Sequence, residues 1–173
     1  MNIAYTIAPG RGDTDLLLLE FAEWVVEHGH RPCGIVQINS QRDEAGPCDM
    51  DVKVLPDGKV IRISQNLGRE SKGCRLDPSA LETAAGLVAT QLESGADILI
   101  VNKFGKHEAE GRGFRPVIAE ALTRGIPALV GLSRLNAAAF HEFTAQVATP
   151  LQPEFPALIE WMNQVIRNSG KAA

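Results

Sequence analysis

The stretch Ile7-Ala8-Pro9-Gly10-Arg11-Gly12-Asp13-Thr14-Asp15-Leu16 follows an opening extended run and precedes a helical pattern, the position of a phosphate-binding loop. A loop of the form G-x-x-x-x-G-K-[ST] wraps phosphates in backbone N–H groups, while its lysine neutralises them and its hydroxyl reaches magnesium. Pro9, Gly10, Gly12 and Thr14 fit that frame, but Ile7 stands at the first glycine and Asp13 at the lysine. A carboxylate there repels phosphate. Two readings follow: a strand-to-helix turn in which Asp13, Thr14 or Asp15 caps the helix and complements its positive end, or a phosphate loop with its charge inverted.

Outward from this loop the chain alternates strand and helix patterns, which predicts a mainly parallel sheet covered on both faces. A helix runs to about Glu27, with Leu17, Phe21, Trp24 and Val25 as its apolar stripe and Gly29 at its stop. Residues 33–38 form strand two, and a polar loop spans 39–47. Two short extended runs, 50–55 and 59–64, joined by Pro56-Asp57-Gly58, form a hairpin inserted at about 48–66. Asp77-Pro78 opens a helix as N-cap and first helical residue. The nearly all-apolar run 97–101 reads as a strand buried on both sides, ending in Asn102-Lys103. A glycine-rich loop over 104–113, a helix over 114–123, a buried strand at 127–132, a short helix over 136–143, an edge strand at 146–148 and a closing amphipathic helix over 156–167 complete the pattern, with a frayed tail from 168.

The composition bounds the function. At 173 residues, 45% hydrophobic and 22% charged, the chain builds one domain with a core of its own. A net charge of -4 gives no global attraction to nucleic acid or to an anionic membrane. No apolar stretch approaches the length of a membrane span, the first residues are too short and polar for a signal peptide, and three cysteines fit a reducing cytoplasm better than a disulfide framework.

Ligands of open parallel sheets bind outside the carboxyl ends of the strands, where the loops after strand one and after 97–101 both lie. The second of these, Asn102-Lys103-Phe104-Gly105-Lys106-His107-Glu108-Ala109-Glu110-Gly111-Arg112-Gly113-Phe114-Arg115, carries four cations, one imidazole and two carboxylates on a backbone with three glycines. Lys103, Lys106, Arg112 and Arg115 are candidate anion ligands, and His107 and Glu108 are candidates for acid–base chemistry. The alternative is a solvated loop whose charges pair among themselves.

The phosphate-loop-like opening, the hairpin, Gly73-Cys74-Arg75-Leu76-Asp77 before a helix, and Val101-Asn102-Lys103-Phe104-Gly105-Lys106-His107-Glu108 together resemble an uncharacterised bacterial family, a domain of unknown function often encoded near molybdenum-related genes. That family is similar to small thermophilic-type nucleoside-triphosphatases of the P-loop class, whose corresponding strand ends in Asp-Glu-Ile-Gly-Lys-Met-Glu. Gly105, Lys106 and Glu108 match that pattern, while Asn102 replaces the magnesium-associated Asp and Lys103 the acidic residue expected to act on the attacking water. The resemblance implies a P-loop-like three-layer α/β fold over residues 1–173, and its departures all strike the catalytic apparatus, so activity does not carry over with the fold.

The candidate ligand-binding set is thus Gly10, Arg11, Gly12, Asp13, Thr14, Asn102, Lys103, Gly105, Lys106, Arg112 and Arg115, with Lys106 and Glu108 as candidate catalytic groups. In a fold of this class the strand after Ala96 is expected beside strand one, so that Asp13 and Lys103 approach each other, directly or through a water. Cys48 and Cys74, in polar loops, are the better thiols for a metal, ahead of His28, His30 and Cys33. Three functions remain: a cytoplasmic regulatory protein binding a small oxyanion or nucleotide without efficient hydrolysis, an active nucleotide-dependent enzyme with a relocated cation, or a protein-interaction module. No particular cofactor and no oligomeric state is implied.

Overall fold

The computed structural model describes residues 2–10, 12–40, 49–65 and 76–170. Its strands are β1 (Ile3–Thr6), β2 (Pro32–Ser40), β3 (Asp49–Val54), β4 (Val60–Arg62), β5 (Ile98–Phe104), β6 (Ala128–Leu132) and β7 (Thr149–Leu151). Its helices are α1 (Asp13–Glu27), α2 (Pro78–Glu93), α3 (Lys106–Ala109), α4 (Arg115–Thr123), α5 (Ala137–Phe143) and α6 (Phe155–Gly170), with a 3-10 turn at Arg134–Asn136.

Among the described residues the strands form one seven-stranded sheet in the order β4-β3-β2-β5-β6-β1-β7. The pairs β2–β5, β5–β6, β6–β1 and β1–β7 are parallel, and β2–β3 and β3–β4 are antiparallel. The hairpin around Pro56-Asp57-Gly58 is therefore not an appendage; it extends the sheet at the β2 edge. Asp51 and Arg62 face each other across it, with Arg62 Nε donating to Asp51 Oδ1 at 3.0 Å.

The alternation of side chains divides the core in two. Leu18, Phe21, Val25, Ile98, Ile100, Leu129, Leu158, Trp161 and Met162 pack between the sheet and α1 and α6. Leu81, Val88, Leu99, Val101, Ile118, Val130 and Phe140 fill the opposite face beneath α2, α4 and α5. This is the expected three-layer α/β architecture. Asp77 caps α2 as its sequence demands, its carboxylate accepting from the N–H groups of Ser79 (2.9 Å) and Ala80 (3.2 Å).

Several expectations are corrected. β6 lies between β1 and β5, so the strand after Ala96 is not beside β1. The N-cap of α1 is Gly12, in the left-handed region at φ 88°, with no side-chain cap; Asp13 is the first helical residue. Within the glycine-rich loop residues 106–109 form one helical turn, α3. The edge strand falls at Thr149–Leu151 rather than 146–148, and α6 continues to Gly170 where a frayed tail was expected. Most of the expected 39–47 loop lies outside the described residues.

β5 also runs three residues further than its apolar core suggests, and it is irregular. Val101 pairs with Val130 and Phe104 with Leu132, so one extra residue is accommodated at Asn102-Lys103 as a β-bulge. Gly131 sits opposite: a Cβ there would lie 2.0 Å from the Asn102 carbonyl oxygen. Gly131→Ala is therefore expected to destabilise the fold by about 2–3 kcal/mol in urea titration. Gly86→Ala, in α2 with nothing within 4 Å of the new methyl, should instead stabilise by about 0.5–1 kcal/mol.

Candidate functional site

The carboxyl edge of the parallel strands carries both loops singled out in the sequence. In the first, between β1 and α1, the Thr14 hydroxyl turns back and accepts from the Ala8 N–H at 3.1 Å, closing the loop on itself. Asp13 folds over the loop as well: a Cβ on Gly10 would lie 2.1 Å from Asp13 Oδ2, so the carboxylate occupies the space where a side chain at residue 10 would begin. Arg11 lies outside the described residues.

The expected approach of Asp13 to Lys103 does not occur as a contact. No ion pair or hydrogen bond joins these two residues, and Lys103 is exposed at the bulge. The link between α1 and β5 is made instead by their neighbours. Asn102, buried to 2% exposure, donates from Nδ2 to Asp15 Oδ1 at 2.8 Å and accepts at Oδ1 from the Gln37 N–H at 2.9 Å. One amide ties β2, β5 and α1 together at the site edge.

The second loop is built around two carboxylates rather than around its cations. Glu108 is buried, and its oxygens accept from the Gly105 N–H at 2.8 Å and the Phe114 N–H at 3.3 Å. It closes the loop at both ends. Gly113, at φ 59°, has no space for a side chain because a Cβ would lie 2.3 Å from Glu108 Oε1. Glu82, reaching across from α2, accepts from the Gly113 N–H at 2.8 Å and hydrogen-bonds the buried His107 Nε2 at 2.7 Å. The Gly113 N–H, with His107 and Arg112 adding to it, holds the Glu82 carboxyl below the usual carboxylate range. Both groups proposed for acid–base work, His107 and Glu108, thus serve the loop's own architecture.

The four cations differ in their freedom. Lys106 lies 3.7 Å from Glu110, and Arg112 donates to the same carboxylate at 2.5 Å. Arg115 donates to the Ala109 carbonyl at 3.4 Å, with its guanidinium 4.7 Å from the centre of the Phe143 ring. Glu82 and Phe143 were not among the candidates. Glu82 reads only as part of the polar face of its helix, and no local pattern marks it.

Metal chemistry finds no support among the described residues, where no group of three or more His, Cys, Asp and Glu side chains is placed to hold an ion. His28 stacks on Trp24, His30 lies 3.9 Å from Asp97, and the Cys33 thiol points at the Val88 carbonyl. Burial pushes that thiol up to about 11. Cys48 and Cys74 lie outside the described residues. No helix among the described residues is long and apolar enough to cross a membrane.

A family model described as "Protein of unknown function (DUF2478)" matches residues 3–161. Over 160 residues the chain is 36% identical to a Bradyrhizobium diazoefficiens protein named molybdenum import ATP-binding protein ModC 2, a match covering 92% of this chain and 18% of that one. The chain thus spans under a fifth of the length of this curated relative. Two solved structures share the fold. One, a human cancer-related nucleoside triphosphatase, has a TM-score of 0.64 and 15% identity, covering 100% of both chains. The other, THEP1 from Aquifex aeolicus, has a TM-score of 0.62 and 16% identity, covering 88% of this chain and 89% of that one.

Two outcomes are expected from the loop's carboxylates. Glu108→Ala strands two N–H groups and should cost about 2–4 kcal/mol of stability in urea titration. Because the folded pKa of Glu82 is depressed, its stabilising contribution is present above the unfolded carboxylate value and is lost as pH falls through the lower folded value. The stability gap between wild type and Glu82→Gln should therefore narrow on acidification below about pH 4.3.

Proposed function

This chain belongs to the DUF2478 family, and we propose that it is a cytoplasmic ligand-binding or regulatory protein on a P-loop-like scaffold, one that accepts an oxyanion or a nucleotide without efficient triphosphate hydrolysis. The observation that carries this reading is Asn102. Where the resemblance places a magnesium-associated carboxylate, the chain has a neutral amide, buried, with both ends already bonded to Gln37 and Asp15. A neutral side chain in that state adds no charge for a divalent cation.

The other departures agree with it. Asp13 puts a negative charge against Gly10 in the loop that would hold phosphate. Glu108, the residue best suited by type to act as base, has both oxygens committed to backbone N–H groups. These three departures weigh against efficient hydrolysis. Exposed Lys103, Lys106 and Arg112 keep positive charge on the same edge, and this supports anion binding.

The name of the Bradyrhizobium relative supports a link to molybdenum uptake. Molybdate, a tetrahedral dianion, is accordingly the first oxyanion to offer. We expect molybdate, tungstate or a nucleotide at about 100 times its Kd to raise Tm by roughly 5–10 °C. Magnesium-dependent phosphate release from ATP or GTP should stay at background. Turnover that Lys106→Ala abolishes would establish an active enzyme instead, and a screen in which no small ligand shifts Tm would favour an interaction module.

A further inference from the structure

We propose, building on the oxyanion reading above, that Lys106, Glu110 and Arg112 form an oxyanion site that the protein fills with its own carboxylate, and that a tetrahedral dianion binds there by displacing Glu110. The two oxygens of Glu110 are taken by different cations. Lys106 Nζ lies 3.7 Å from Oε1, and an Arg112 guanidinium nitrogen lies 2.5 Å from Oε2. The carboxylate thus bridges an ammonium and a guanidinium, as a bound anion would.

The backbone builds this convergence. Gly111, at φ 92°, turns the chain back after α3, and the Arg112 N–H then donates to the His107 carbonyl at 3.1 Å. Arg112 is thereby returned to the end of the helical turn that carries Lys106. Below it, Glu108 and Glu82 fix the loop to β5, α4 and α2, so the two cations project from a braced support.

Glu110 is a weak occupant. Its side chain is 43% exposed, and those of Lys106 and Arg112 are 87% and 57% exposed, so water and ions reach all three. Exposed ion pairs contribute little and yield to competitors. Once Glu110 has swung away, the two charges of a dianion match the two positive charges of Lys106 and Arg112. The chemistry selects a small tetrahedral oxyanion, either free or as the terminal phosphate of a nucleotide.

Calorimetric titration at low ionic strength with sodium molybdate and with inorganic phosphate tests this on wild type, Glu110→Gln and the double variant Lys106→Ala/Arg112→Ala. All three positions are exposed, and circular dichroism checks that each variant folds. Glu110→Gln should bind about tenfold more tightly than wild type, because a competing unit charge at contact distance is gone. The double variant should bind at least roughly tenfold more weakly than Glu110→Gln. Equal or weaker binding by Glu110→Gln overturns the inference; wild-type binding in that case leaves the oxyanion reading standing at another site. Binding by Glu110→Gln alone overturns displacement of Glu110 by the dianion together with the oxyanion reading for the native protein, and no binding by either overturns both. ATP competing with molybdate on Glu110→Gln assigns the site to terminal phosphates, and absence of competition assigns it to free oxyanions; each upholds the site.

Discussion

Between Val101 and Phe104, β5 advances three residues while its neighbour β6 advances two. Ile98 and Ile100 face α1 and α6, and in a regular strand Phe104 would share that face. The bulge moves it to the other core, against Phe140 and Phe143. Asn102 keeps the α1 side and meets Asp15, while Lys103 is released to solvent. Packing on one face, the polar bridge to α1 and the starting direction of the second loop are all set by this offset, and Gly131 is the residue that makes space for it.

The loop that follows shows how a charged sequence is resolved by geometry. Its backbone N–H groups at Gly105, Gly113 and Phe114 lie in or near buried surroundings and need acceptors. Carboxylates at Glu108 and Glu82 supply them, and the glycines allow the close approach. Lys106 and Arg112 are left at the outer surface paired with Glu110, and Arg115 lies over Phe143. Internal pairing describes Glu110 with Lys106 and Arg112, whereas Glu108 bonds to backbone N–H groups rather than to a cation.

Strong local chemistry was legible in the sequence. Asp77-Pro78 marks the start of α2, Pro56-Asp57-Gly58 marks the hairpin, and the apolar 97–101 run marks a central strand. Weaker signals misled in identifiable ways. Pro150 disguises β7, which tolerates it at the sheet edge. The single turn α3 is too short for any periodicity and is capped by Glu108. The position of β6 between β1 and β5 is a long-range fact that no local pattern carries, and it separated Asp13 from Lys103. For the site, the residue types and the two loops could be read ahead of the structure, whereas the partners could not: Glu82 lies on another helix, and Asp15, not Asp13, reaches Asn102.

The place of β1 in the sheet has a kinetic side. Ile3 pairs with Ala128 and Ala4 with Thr149, so the first strand of the chain is flanked on both sides by the latest ones. The first loop, which hangs from the end of β1, has no sheet to stand on until those distant partners arrive. Contacts of such sequence separation are slow to form, because loop closure comes before any compensating burial. During synthesis the apolar strands β2 and β5 can pair while β1 still waits, exposing the edge of β5 that β6 will later cover. The first loop therefore hangs from a strand whose two sheet partners, β6 and β7, both lie far from it in sequence.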